Sequence, residues 1–224
     1  MPNVLRAGAL LFAFCVSPLN AQGQISQHEW WSRAASAWEA GKASRPATLV
    51  MTFDELDGAG ALKSRSSYEY RLAYSGPEPD YVLLRASKDG KDITEKARKD
   101  ASRRQGGPGG SMGSGAIVPF DTALDGKIEL GRFVAGASGY SVPYAIKDGK
   151  SGSRGTAYFD GQGSPLYIEY RLDPLPSMVS SFSGRASFSL LQDGALVISG
   201  MRFEGEAGIL FVKTRFSVSM EFGY

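Results

Sequence analysis

The chain has one cysteine and one histidine in 224 residues, and that scarcity removes whole classes of chemistry. Cys15 lies inside an apolar stretch over residues 7–16, so the rest of the sequence offers no disulfide framework, no thiolate nucleophile and no cysteine-based metal site. A nucleophilic triad needs a base. The sole histidine, His28, falls in the first turn of a predicted helix, where it reads as an ordinary surface side chain. One histidine without cysteine does not build a zinc site, and no run of spaced acidic residues fits a calcium loop. Charge of neither sign dominates, with 25 Lys+Arg against 23 Asp+Glu, which argues against a nucleic-acid surface. The expectation is a protein that is not an enzyme and that carries no cofactor or metal.

No apolar run reaches the ~20 residues that a membrane-spanning helix needs. The stretch over residues 7–16 has Arg6 before it and Leu19-Asn20-Ala21 after it, the layout of an export signal over residues 1–21, with the mature domain spanning 22–224. Phe14 stands before Cys15 where a lipoprotein signal would place a small residue. Paired carboxylates are densest at Asp54, Glu55 and Asp57, followed by Gly58 and Gly60. That composition makes a turn rather than an acid–base pair. The glycines over residues 106–115 are not followed by the Lys-Ser/Thr of a phosphate loop, and residues 105–116 read as a flexible Gly/Ser loop within one domain.

What is present is alternation. Ser26 to Glu29 has capping-box spacing, and Trp30, Ala34, Ala37 and Trp38 recur at helical period with Trp31 beside them. This predicts an amphipathic helix ending at Gly41. From Thr48 the period becomes two: Leu49, Met51 and Phe53, then Tyr68, Tyr70, Leu72 and Tyr74, form a hairpin around Asp57-Gly58. A third strand spans residues 80–87, and Asp92 with Glu95 opens a short charged helix with little apolar surface to tie it to the core. Strands are then expected over residues 127–133, 140–147, 154–160, 166–173, 184–191, 195–204 and 209–222, with a turn at Glu206-Ala207-Gly208. About ten strands and two helices predict a mainly β, α+β fold: a large curved antiparallel sheet, an incomplete barrel, covered by the N-terminal helix and the short inserted one.

Three local features carry a family likeness: Asp89-Gly90-Lys91-Asp92-Ile93-Thr94-Glu95 at the entry to the second helix; Tyr158-Phe159-Asp160-Gly161-Gln162-Gly163 with Leu166-Tyr167-Ile168-Glu169-Tyr170; and the closing hairpin from Phe203-Glu204-Gly205 to Phe222. With the order of elements, they resemble the LolA/LolB-like superfamily of outer-membrane lipoprotein carriers and sorting proteins. The resemblance implies a periplasmic protein of a Gram-negative envelope that holds a lipid or an acylated protein in an apolar interior, with a partner in outer-membrane assembly. The residues expected to line that interior are Trp30, Trp31, Trp38, Met51, Phe53, Tyr68 and Tyr70. Two other readings fit the same pattern: an integral outer-membrane β-barrel, because a long alternating strand ends on an aromatic residue, and a scaffold or sensor that pairs a sheet edge with a partner segment.

Overall fold

A computed structural model describes residues 27–103, 118–148, 151–175, 179–209 and 212–224. The expected export signal, Ser26 of the expected capping box and the glycine-rich stretch over residues 105–116 lie outside these residues. Helix α1 (Gln27–Gly41) leads into β1 (Thr48–Leu56), β2 (Leu62–Tyr74) and β3 (Pro79–Lys88), followed by the two-residue β4 (Lys91–Asp92) and helix α2 (Thr94–Arg103). After a 3-10 turn at Thr122–Leu124 come β5 (Ile128–Leu130), β6 (Val134–Gly136), β7 (Gly139–Asp148), β8 (Ser151–Asp160), β9 (Pro165–Leu172), β10 (Val179–Leu190), β11 (Leu196–Ile209) and β12 (Val212–Gly223). All twelve strands form one antiparallel sheet in the order β4-β3-β2-β1-β12-β11-β10-β9-β8-β7-β5, with β6 also on β7. The two ends of this order do not meet, so the sheet is open.

Asp side chains make the tight turns. Asp57 accepts from the N–H groups of Ala59 and Ala61, Asp160 from those of Gln162 and Ser164, and Asp193 from that of Ala195. These local bonds hold the reversal without a partner from elsewhere. Register then follows. Leu49, Met51 and Phe53 stand opposite Tyr70, Tyr68 and Ser66 on one side, and opposite Phe222, Met220 and Val218 on the other. Continued across β11 to β7, the same face carries Met201, Phe203, Ala186, Ile168, Tyr170, Ala157 and Val142. One continuous inner face is therefore apolar, and the alternate residues face outward.

Helix α1 crosses one end of that face. Trp30 stands edge-on to Tyr140 at 4.4 Å between ring centroids, and packs on Gly163, whose φ of 88° and missing side chain leave room for the indole. At the other end of α1 a side chain on Gly41 would overlap the carbonyl of Leu196, so the helix backbone rests directly on the β10–β11 turn. The segment over residues 118–124 completes the layer, with Phe120 fully buried against Trp31, Phe159 and Phe188.

Polar bonds fasten this segment to the helix. Glu39 accepts from the Thr122 hydroxyl (2.7 Å) and N–H (3.1 Å) and from Lys42 (2.7 Å), while Lys42 also reaches Asp121 at 2.8 Å. Lys42 and then Thr122 hold the Glu39 carboxyl down at about 2. A depressed carboxylate contributes stability that is present above its ordinary value of 4.5 and lost as pH falls toward 2. Thermal unfolding is therefore expected to lose a component between those pH values that the Glu39→Gln variant lacks. Equal acid profiles for the two proteins would show that the bond contributes nothing.

Four local expectations differ from the structure. The strand over residues 127–133 is broken: Leu130 faces Tyr144 and Val134 faces Ser141, so three residues oppose two on β7. The surplus residue forms a bulge beside Pro143, which has no N–H to give. Glu206, Ala207 and Gly208 are not a turn but part of β11, paired with Arg215, Thr214 and Lys213, and the ladder runs on to Ile209 opposite Val212. β10 starts at Val179, well before Gly184. Finally, α2 is firmly tied despite its charged surface. The Thr94 hydroxyl bonds both the N–H and the carbonyl of Ala86, and Arg98 donates to the carbonyls of Leu83 and Leu84, so side chains occupy the β3 edge where another strand would pair.

Candidate binding surface

The inner face has two halves of different character. Under α1, on β7 to β11, the side chains are sealed: Val142, Ala157, Ile168 and Leu196 have no exposure and Phe159 has 1 %. On β12, β1 and β2 the apolar row continues through Met220, Phe216, Phe222, Met51, Phe53 and Tyr68, each only partly buried, with Leu49, Tyr70 and Val218 buried among them. α1 packs on β11 and α2 on β3, which leaves β12, β1 and β2 between them.

The seven residues expected to line an interior divide accordingly. Trp30 is buried in the half under α1, and Trp31 and Trp38 are partly buried beside it, in ring contact with Tyr140, Phe120, Phe159 and Phe188. They form a packed aromatic layer. Met51 and Phe53 border the same core, with Phe53 stacked on Phe216 at 6.5 Å. Tyr68 and Tyr70 lie in a second cluster with Leu49 and Leu72, and Met220 touches both clusters. Tyr70 is buried, and burial first, then Tyr68 and Tyr81, pushes its phenol up to about 12. Phe216, Met220 and Phe222 complete the partly exposed row; the alternation of the last strand placed them on the apolar face, but only register with β1 puts them beside Met51 and Phe53.

Along the inner face, glycines make room for aromatic rings. Tyr144 lies over Gly155 of the next strand, Tyr170 over Gly184 and Phe216 over Gly205, and each pair is in direct register. The Tyr144, Tyr170 and Ser153 hydroxyls and the Trp30 and Trp38 indole N–H groups are buried with no hydrogen-bond partner among the described residues. Burial raises both tyrosine phenols well above their ordinary range, so they remain neutral donors at any physiological pH.

The outer face is polar. Asp54 is held by both nitrogens of Arg65 (2.7 and 2.8 Å), Glu55 pairs with Lys63, and Asp57 serves its own turn, so the densest carboxylates of the sequence are in structural use. His28 is exposed on α1. A membrane-spanning barrel needs closure and an apolar exterior. This sheet is open and turns its apolar face inward, so the barrel reading has no structural basis among the described residues. No helix among them is long and apolar enough to cross a membrane.

Comparison with known proteins finds no matching family model and no matching curated protein. Among solved structures, the chain is similar to MucB in a crystal structure with MucA(peri), at 12% identity, over 87% of this chain and 92% of that one, with a TM-score of 0.22. It is similar to a second MucA/MucB complex, from Pseudomonas aeruginosa, at 13% identity, over 87% and 93% of the two chains, with a TM-score of 0.23. TM-scores of this size do not assign the fold of either protein to this chain.

Proposed function

We propose that this protein is a non-enzymatic carrier of the bacterial periplasm, exported by residues 1–21, that holds an acyl chain against the partly exposed half of its inner face. The observation that supports this is the continuity of the apolar row. Partly exposed aromatic and methionine side chains run on from a buried core without any change of chemistry, on the strands between β11, where α1 packs, and β3, where α2 packs. Burying such a row is worth roughly 25 cal/mol per Å² of apolar surface, which is the driving force for taking up a hydrocarbon. Methionine beside flat aromatic rings adapts to chains of different length.

A fluorescent C16 fatty acid titrated into the full chain tests this. Wild type is expected to bind it. Phe53→Gln is expected to weaken binding about tenfold, the loss of roughly 1.5 kcal/mol of apolar contact, while the intrinsic tryptophan fluorescence of the ligand-free protein stays unchanged. An absence of binding, or equal binding by Phe53→Gln and Met51→Gln, would sink the reading. Native mass spectrometry on protein purified without detergent adds an independent check, because a carrier brings its acyl cargo with it.

A further inference from the structure

The opposite face of the sheet holds an open groove of about 640 Å³ across β8 to β11. Each of these four strands contributes one arginine to it: Arg154, Arg171, Arg185 and Arg202. Register sets them in like-charged pairs, with Arg154 directly opposite Arg171 and Arg185 directly opposite Arg202. Like charges directly opposite on neighbouring strands destabilise a sheet, so two such pairs in one groove are a standing cost that an anion would remove.

Internal carboxylates relieve it only in part. Arg202 is paired with Glu204 at 2.7 Å and Arg154 with Asp173 at 3.3 Å, but Arg185 and Glu169 are 3.8 Å apart, and Arg171 has no ion-pair partner among the described residues. Arg185 is held from another side, its guanidinium 3.7 Å from the centre of the Tyr167 ring, which in turn stacks on Tyr158 at 4.4 Å. A stacked guanidinium keeps its N–H edge fixed and free to donate in its plane.

We infer that this groove docks an extended acidic segment of a partner protein, with one carboxylate between Arg154 and Arg171 and a second between Arg185 and Arg202. The two pair centres lie two strands apart and two residues along, about 12 Å from standard sheet spacings. That separation matches side chains four residues apart on one side of an extended peptide, which rises about 3.4 Å per residue. Arginine pairs receive carboxylates through paired N–H donors. Glu169 stands beside Arg185 and Glu204 beside Arg202, and they select a ligand of spaced single charges over an anionic bilayer, whose continuous negative surface they would repel. This inference concerns the face opposite the acyl surface and does not depend on it.

The test is fluorescence anisotropy on the full chain with a labelled Ser/Thr-rich peptide bearing Glu at positions i and i+4. The expected result is binding that weakens with salt, that falls at least tenfold with the same peptide carrying Gln, and that falls at least tenfold in Arg154→Gln/Arg171→Gln. Arg202→Gln alone is expected to weaken it severalfold. Because the substituted side chains are exposed and their removal ends a repulsion, the thermal midpoint of both variants is expected to stay level or rise, which separates lost docking from lost fold. Equal affinity for the Glu and Gln peptides overturns the inference, as does unchanged binding by the variants. Arginine-dependent binding to phosphatidylglycerol vesicles without any to the peptide overturns it in favour of a membrane surface.

Discussion

Replacing Phe159 with alanine is expected to lower the free energy of unfolding by about 3–5 kcal/mol, the usual loss for a fully buried aromatic ring. Phe159 is 1 % exposed, and its ring lies within 6.5 Å, centroid to centroid, of Trp30, Trp31, Phe120 and Phe133. Those four rings come from α1, from the segment over residues 118–124 and from the bulged stretch before β6. The substitution therefore opens a void where three separate parts of the chain meet the sheet, and none of them can close it without leaving its other partners. Against a total stability of roughly 5–15 kcal/mol for a domain, this is a large fraction. Urea denaturation followed by tryptophan fluorescence measures it; a loss below about 1 kcal/mol would show that the aromatic layer is loosely filled.

Gly184→Val is expected to destabilise by at least about 1–3 kcal/mol, from overpacking rather than from a void. A Cβ at position 184 would stand 2.5 Å from Cζ of Tyr170 and 2.7 Å from its Cε1. The Tyr170 ring is sealed and has no second place to go. The diagnostic is a double-mutant cycle: with Tyr170→Ala present, the added cost of Gly184→Val should shrink by about 0.5–3 kcal/mol, the range for residues in direct contact. Strict additivity would mean that the glycine is kept for another reason.

Much of this architecture is legible as alternation. Period two along β1, β2 and β12 states which residues share a face, because successive side chains must point to opposite sides of a strand, and the Asp-Gly reversals state where strands turn. Alternation does not state what lies over a face. It marked Trp30 and Phe53 equally as apolar, and only the packing of α1 on the sheet makes the first buried and leaves the second partly exposed. Phe120 had no periodic signal, being a single aromatic residue in a short non-repeating segment. The turn expected at Glu206-Ala207-Gly208 failed because a glycine inside a strand costs little when its partner, here Lys213, supplies the ladder. The fastening of α2 was missed because it depends on a hydroxyl and a guanidinium reaching backbone atoms of β3, which side-chain hydrophobicity does not report. The arginine groove was hidden for a related reason: each of its arginines reads alone as one outward charge, and only register sets them opposite one another.

The seam where β1 lies beside β12 also shapes how the chain finds this structure. Neighbours elsewhere in the sheet are close in sequence, whereas this seam joins the two ends of the described chain from Thr48↔Gly223 to Leu56↔Arg215. Local hairpins close with little loss of entropy, and a contact of such long range pays for closure before it is rewarded. Two meanders, β1–β3 and β7–β12, are therefore expected to form early and to meet late. Until they meet, β1 and β12 each present an open row of backbone donors and acceptors beside the uncovered apolar residues. That interval is when the newly made chain is most exposed to pairing with a second copy of itself, and any ligand that settles on Met51, Phe53, Phe216 and Met220 spans the seam and shortens it.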